Sequence, residues 1–228
     1  MSPGATTPPA VAVDVAVFTV LARRLHVLLV QLGTGPLAGR WALPGGRVRT
    51  EETLDEAARR ELAAQTGLRR LYLEQLYTFG NPQRDPHQRV VSVAYVALMA
   101  HGGRFVDDGA RRATAGGKYS DVAWRPVARL PALAYDHGVV VRTALGRLRA
   151  KLAYTNLVYT LLRPAFSLGE LQEMYEAILG RRLDRRNFRK KVLSLGLLRR
   201  LDQVRRGPHR PAALYAFRRR RPMVVAIL

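Results

Sequence analysis

Residues 46–68 read GRVRTEETLDEAARRELAAQTGL, and the spacing within this stretch decides the fold. Gly46 is followed after five residues by Glu52, then after seven more by Arg60-Glu61-Leu62, and the stretch closes on Gly67-Leu68. Thr50 and Thr53 can each cap a helix. Thr53 has Glu56 three residues on, the pairing in which hydroxyl and carboxylate satisfy each other's backbone N–H groups. Leu54, Ala57, Ala58 and Leu62 recur at helical spacing, as does Gln65, and Gly67 supplies a stop. Positions 61, 64 and 65 are three and four residues apart and therefore share a helix face. Three glutamates there would form a carboxylate cluster able to hold Mg²⁺. This chain keeps Glu61, offers one neutral oxygen at Gln65 and none at Ala64.

The segment upstream is built for a phosphate. Pro44-Gly45-Gly46-Arg47, ahead of a helix, lets backbone N–H groups approach a diphosphate closely and adds a guanidinium. Downstream, YTFGNPQRDP (77–86) brings Arg84 and Asp85, with Arg89 shortly after. Arg84 and Arg89 suit phosphate contacts, and Phe79 or Trp41 suits stacking on a base. Equally, both aromatics suit core packing, and Arg84 with Asp85 suits a loop ion pair. Val11–Leu21 and His26–Gln31 predict a hairpin turning at Ala22-Arg23-Arg24. Leu71–Phe79, Arg89–Met99 and Val122–Trp124 predict further strands around a polar, Gly-rich insertion at 101–118. Strands interleaved with helix over 8–130 predict an α/β domain with a mixed sheet.

The second part of the chain changes character. Asp136 is placed to cap an amphipathic helix running to about Leu152, and Leu157–Leu162 reads as another helix. Ser167-Leu168-Gly169-Glu170 is a capping box for a helix stopped by Gly180, and Asp184 caps Arg185–Leu195 before Gly196. Leu197–Leu201 and Ala213–Phe217 read as strands joined by DQVRRGPHRP. That order, three helices and then a hairpin, predicts a winged helix-turn-helix. In the last helix Phe188, Val192 and Leu195 face inward, leaving Arg185, Arg186, Asn187, Arg189 and Lys190 outward near its start. In that position they can meet base edges, with Lys191 on phosphate. Arg205, Arg206, His209 and Arg210 form the wing.

Charge agrees with this division. The formal net charge is +21, of which residues 1–150 contribute 20 Lys and Arg against 12 Asp and Glu, and residues 151–228 contribute 18 against 5. About a third of the chain carries most of the excess, which points to a polyanion partner, although a solvated face in an arginine-rich chain (34 Arg, 4 Lys) has the same arithmetic. No cysteine is present, which excludes disulfides and thiolate metal sites. Apolar runs are too short or interrupted to cross a bilayer, and MSPGATTPPA lacks a basic start before its apolar stretch. These features predict a soluble cytoplasmic protein with no membrane partner.

WALPGG together with the 46–68 stretch resembles the Nudix domain. LPALAYDH, FSLGELQEMYEAILGRRLDRRNFRKKVLSLGLL and RPAALYAF resemble the Nudix-related transcriptional regulator (NrtR) family, so the likeness spans nearly the whole chain. It implies an α/β Nudix fold at 8–130, a connecting helix at 131–153 and a winged helix-turn-helix at 154–221. It implies a ligand cleft built from Trp41, Gly45, Gly46, Arg47, Glu52, Arg60, Glu61, Phe79, Arg84, Asp85 and Arg89, with Glu52 pairing with Arg60. It further implies a homodimeric repressor of NAD-biosynthesis genes that binds a palindromic double-stranded operator and is released by ADP-ribose, with no required cofactor. The loss of carboxylates at Ala64 and Gln65 predicts no catalytic or metal residues. The competing expectation is a Mg²⁺-dependent ADP-ribose pyrophosphatase with substitute carboxylates from Asp107, Asp108 or Asp121. A single-strand RNA binder fits less well, because the basic segment has few aromatics for stacking beside Tyr175 and Tyr215.

Overall fold

The computed structural model describes residues 8–69, 71–100, 118–205 and 211–227. Strands β1 (Ala10–Leu21) and β2 (Arg24–Leu32) form the expected hairpin. Its turn is only two residues long, with Ala22 at φ 46° and Arg23 at φ 60°. Two successive left-handed residues are what the right-handed twist of the strands demands, and neither Ala nor Arg adopts that region easily. Short strands β3 (Trp41–Ala42) and β4 (Gly45–Arg47) lead to α1 (Leu54–Thr66), followed by β5 (Tyr72–Phe79), β6 (Val90–Leu98) and β7 (Tyr119–Pro126).

These seven strands form one mixed sheet in which β3, β2, β1, β6 and β5 lie side by side, β4 joins β1 and β7 joins β2. Among the pairs of named strands only β1 and β6 run parallel. Residues of β1 alternate between two cores, as a strand covered on both faces requires. Val13, Val15 and Val17 pack with Ala57, Ala58 and Leu62 of α1. Ala16, Phe18 and Val20 pack on the opposite face.

That opposite face is closed by α2 (His137–Tyr154), through Val140, Val141, Ala144, Leu148 and Leu152. The same apolar cluster continues into the C-terminal unit through Val158, Leu161, Phe166, Leu171, Tyr175, Phe188 and Phe217. So α2 is no free-standing connector: it is shared by the two halves. The expected helix at 157–162 is a single 3₁₀ turn, Leu157–Thr160. After it come β8 (Phe166–Ser167), α3 (Leu168–Leu179), α4 (Arg185–Ser194), β9 (Leu198–Arg205) and β10 (Ala212–Phe217). Sheet order β8-β10-β9 completes the winged helix with a third strand that sequence reading missed.

The chain's last stretch returns to the hinge. Val225 and Ile227 donate backbone hydrogen bonds to Tyr154 and Ala153 at 2.8 and 2.9 Å. The fully buried Asn156 side chain takes the Met223 N–H at 2.8 Å and donates to the Arg221 carbonyl at 3.1 Å. A unit drawn to end at residue 221 therefore omits a strap that clasps the end of α2. Among the described residues no helix is long and apolar enough to cross a membrane.

Candidate ligand cleft and nucleic-acid interface

Helix α1 starts as its sequence asks: Thr53, not Thr50, is the N-cap, in a reciprocal box with Glu56, and Gly67 ends it at φ 68°. Its middle and last turns then aim Arg60, Glu61 and Gln65 at β4. Gly45 and Gly46 have no room for side chains there. A Cβ on Gly45 would lie 2.2 Å from the Val13 carbonyl oxygen, and one on Gly46 would lie 2.4 Å from Glu61 Oε1. Glycine is needed at Gly45 because the β1 backbone lies against it, and at Gly46 because the Glu61 side chain of α1 does.

Where a metal cluster would sit, the side chains neutralise one another. Arg60 donates to both Glu52 oxygens, at 2.7 and 2.5 Å, and to Glu61 Oε1 at 2.5 Å. Hydrogen bonding from Arg60 is the largest influence on the Glu52 carboxyl and outweighs its desolvation, drawing its pKa down to about 2. Gln65 donates to Glu61 Oε2 at 2.6 Å and to the Gly45 carbonyl at 2.7 Å, and accepts from Gly45 N–H at 3.2 Å. Both Glu61 oxygens are thus engaged by a guanidinium and an amide, the reverse of what a divalent cation needs. Ala64 is exposed and supplies nothing. No group of three or more His, Asp or Glu among the described residues can hold a metal ion. Of the proposed substitute carboxylates, Asp121 is exposed and turned to the Val122 N–H at 2.7 Å, while Asp107 and Asp108 lie outside the described residues. Mg²⁺ does not fit this arrangement, and no hydrolytic step follows from it.

Three expected ligand contacts are placed otherwise. Trp41 and Phe79 are 9% exposed and belong to the core. Arg125 lies over the Trp41 ring at 4.3 Å, and Tyr77 meets Phe79 edge-on at 5.4 Å. Both rings pack into the core, the second of the two roles their sequence suggested. Arg84 pairs with other carboxylates than Asp85. It is buried and donates to Asp136 at 2.8 and 3.1 Å and to Asp14 at 3.0 Å. Asp136 begins α2 as expected, but its carboxylate serves Arg84 and makes no capping bond. Asp85 instead closes a loop turn by accepting from His87 N–H at 2.9 Å. Arg47 reaches Gln88, and Arg89 is exposed, its guanidinium donating to the Val90 carbonyl at 3.3 Å.

Sequence reading missed the group that organises this region. Asp14, the one carboxylate in the apolar strand AVAVDVAVFTVL, accepts from Ser92 Oγ at 2.6 Å as well as from Arg84, and lies 3.2 Å from His137 Nε2. Burial alone would raise its pKa. The combined pull of His137, Ser92 and Arg84 overcomes burial and holds it well below the usual carboxylate range. His137 Nδ1 accepts the Leu43 N–H at 2.9 Å, so the ring carries its proton on Nε2 and donates it to Asp14. One buried cluster therefore joins β1, β6, the 80–89 loop, the chain just before Gly45, and the first turn of α2. The residue before it, Tyr135, sits at φ 53°, a strained backbone at the joint. A lone acid in an apolar strand was the signal that could have revealed the cluster. Tyr119 was missed too: its hydroxyl lies 3.4 Å from the Gly45 carbonyl, and burial raises its pKa.

In the C-terminal unit the Ser167–Glu170 capping box and the Asp184 cap hold as read. Asp184 accepts from Asn187 N–H at 2.7 Å and so begins α4. Phe188 and Val192 anchor the helix inward, Phe188 against Tyr175 at 5.2 Å between ring centroids. Arg185, Arg186, Asn187, Lys190 and Lys191 are exposed. Arg189 departs from the expectation, since it is half-buried with its Nε out of solvent. In the wing, Arg205 is tied to Glu170, and Arg206, His209 and Arg210 lie outside the described residues. Arg199 and Arg200 on β9 are exposed cations that sequence reading did not single out.

Comparison with known proteins agrees with both halves. The Nudix domain model matches residues 10–143, and that of the NrtR DNA-binding winged helix domain matches residues 158–217. The ADPR responsive transcriptional repressor NtrR of Acinetobacter baylyi is 36% identical over 92% of this chain and 82% of its own length. The crystal structure of Shewanella oneidensis NrtR complexed with a 27mer DNA superposes with a TM-score of 0.78 at 35% identity, covering 91% of this chain and 93% of that one. The Nudix domain of the same protein complexed with ADP ribose matches at 35% identity and a TM-score of 0.55, covering 65% of this chain and 94% of that one. A Nudix sheet whose cation site is filled by its own arginine and glutamine, joined through a shared helix to a basic winged helix, places this chain in the NrtR family.

Proposed function

We propose that the protein is a homodimeric transcriptional repressor, acting in the cytoplasm, whose Nudix domain binds ADP-ribose without cleaving it and thereby releases the protein from a palindromic operator. The observation that carries this reading is the pairing of two features in one chain: an exposed cationic helix face on α4, and a Nudix helix whose Glu61 is bonded to Arg60 and Gln65. In this reading residues 8–130 sense the ligand, 131–153 transmit, and 154–227 bind DNA, with NAD-biosynthesis genes as the regulated set.

Arg186 and Asn187 suit bidentate contacts to guanine and adenine edges, and Lys191 suits a phosphate. Gly45, Gly46, Arg47 and Arg89 line the cleft that receives the pyrophosphate, with Asp85 shaping its loop. Ligand there presses on the chain around Leu43–Arg47 and on the 80–89 loop, and both are bonded to the start of α2 by the Leu43–His137 and Arg84–Asp136 contacts. At its far end α2 holds the winged helix through Arg149, which donates to the Ile178 carbonyl at 2.9 Å. A small rotation of α2 therefore changes the separation of two recognition helices that must match half-sites roughly 34–36 Å apart. Release needs only differential affinity: a 100-fold preference of ADP-ribose for the released state shifts the balance by about 2.7 kcal/mol. Fluorescence anisotropy on a palindromic promoter fragment, with and without ADP-ribose, tests this. DNA affinity unchanged by millimolar ADP-ribose would remove the effector from the account.

A further inference from the structure

A cleft of about 740 Å³ lies between the Nudix sheet and the winged helix, and it shares no residue with the ligand cleft above. Six arginines line it: Arg23 and Arg24 of the first hairpin, Arg129, Arg149 of α2, and Arg181 and Arg182 after α3. Among the described residues its only carboxylates are Glu173 and Glu176, and both are already engaged. Glu173 takes Arg23, while Glu176 takes Arg182 at 3.2 Å and the Leu183 N–H at 2.9 Å. Arg149 is fixed by the Ile178 carbonyl at 2.9 Å, and Gly180 at φ 73° leaves it space, since a Cβ there would lie 3.1 Å from Arg149 Nη2. Among the described residues the guanidiniums of Arg24, Arg129 and Arg181 have no acidic partner.

We propose that this cleft is a second anion site, taking a small molecule with two or more phosphate groups and bridging the two domains. Guanidiniums that line one cleft repel one another unless an anion sits among them, and arginine forks match phosphate oxygens in pairs. The volume falls in the range of small-molecule sites. The floor is apolar (Leu25, Pro126, Val127, Leu145 and Ala177), which a compact ligand can use and a DNA backbone cannot. Walls from both domains mean that occupancy sets their relative position, so the site acts on DNA binding without entering the Nudix cleft.

Isothermal titration of the full chain with inorganic pyrophosphate at fixed salt, with saturating ADP-ribose present to occupy the Nudix cleft, tests the proposal. The variant Arg24→Gln/Arg129→Gln/Arg181→Gln alters exposed side chains only and loses pyrophosphate affinity tenfold or more. A control with equal charge loss, Arg142→Gln/Arg218→Gln/Arg219→Gln, retains it. The proposal is overturned if wild type shows no binding at millimolar pyrophosphate, or if the cleft variant binds as wild type does. It is also overturned if both variants weaken equally, which marks diffuse attraction to net charge. A fall in operator affinity tenfold greater in the cleft variant than in the control overturns it too, because the arginines are then DNA contacts.

Discussion

Replacing Arg84 by Met removes the cation at the centre of the buried cluster and keeps most of its volume. Two carboxylates lose their partner, and they do so unequally. The Asp136 side chain is 17% exposed and rehydrates at small cost, whereas that of Asp14 is 8% exposed and cannot. Breaking a buried pair costs about 3–5 kcal/mol. Asp14 keeps Ser92 and His137, so the lower end applies, about 3 kcal/mol of unfolding free energy. A domain stable by about 5–15 kcal/mol survives that loss and can be assayed. Urea unfolding at pH 7 measures it, and Arg84→Met/Asp14→Asn recovers roughly half, because the stranded charge is gone. Acid adds an independent check. Asp14 titrates lower folded than unfolded, so its stabilisation is complete above the unfolded pKa of about 3.9 and is lost as pH falls below that value. The slope of stability against pH in that acid window is therefore shallower in Asp14→Asn than in wild type. If Arg84→Met costs no more than Arg142→Met on exposed helix surface, the cluster is not the joint described here.

Other expectations concern separate parts of the molecule. Gly46→Ala drives a methyl into Glu61 Oε1, so calorimetry should show ADP-ribose affinity down at least tenfold while operator affinity stays within twofold. On α4, Arg186→Ala and Asn187→Ala should each cost about 1–3 kcal/mol on the operator and relax specificity. Lys191→Ala should weaken all sequences alike and reduce the slope of log affinity against log salt by about 1. Ala22→Asn relieves a left-handed alanine and should raise unfolding free energy by about 0.5–1 kcal/mol. An unchanged or lower value would show the turn is not strained.

Local signals in the sequence carried most of the architecture. Capping residues Thr53, Ser167 and Asp184, and stops at Gly67, Gly180 and Gly196, placed the helices to within a residue or two, because caps act within one turn. The apolar runs Val11–Leu21 and His26–Gln31 placed the first hairpin. What stayed hidden depends on contacts far apart in the chain. Arg84 lies 52 residues from Asp136 and 70 from Asp14, so neither pair has a spacing rule. Trp41 and Phe79 looked like stacking platforms because sequence cannot say which aromatics are covered, and Arg125 covers one of them. Loss of carboxylates at 64 and 65 was plain, yet the way Gln65 takes over Glu61 and Gly45 needed coordinates.

If ADP-ribose is a signal for this protein, it comes away from the Nudix domain intact. A single sample of protein, fluorescent operator, Mg²⁺ and ADP-ribose, followed by anisotropy and ³¹P NMR together, tests it most directly. The account predicts that anisotropy falls to the free-DNA value while the pyrophosphate resonances persist over many multiples of the release time. Release that appears only as those resonances give way to two phosphomonoester signals would contradict it, and would make the protein an enzyme after all.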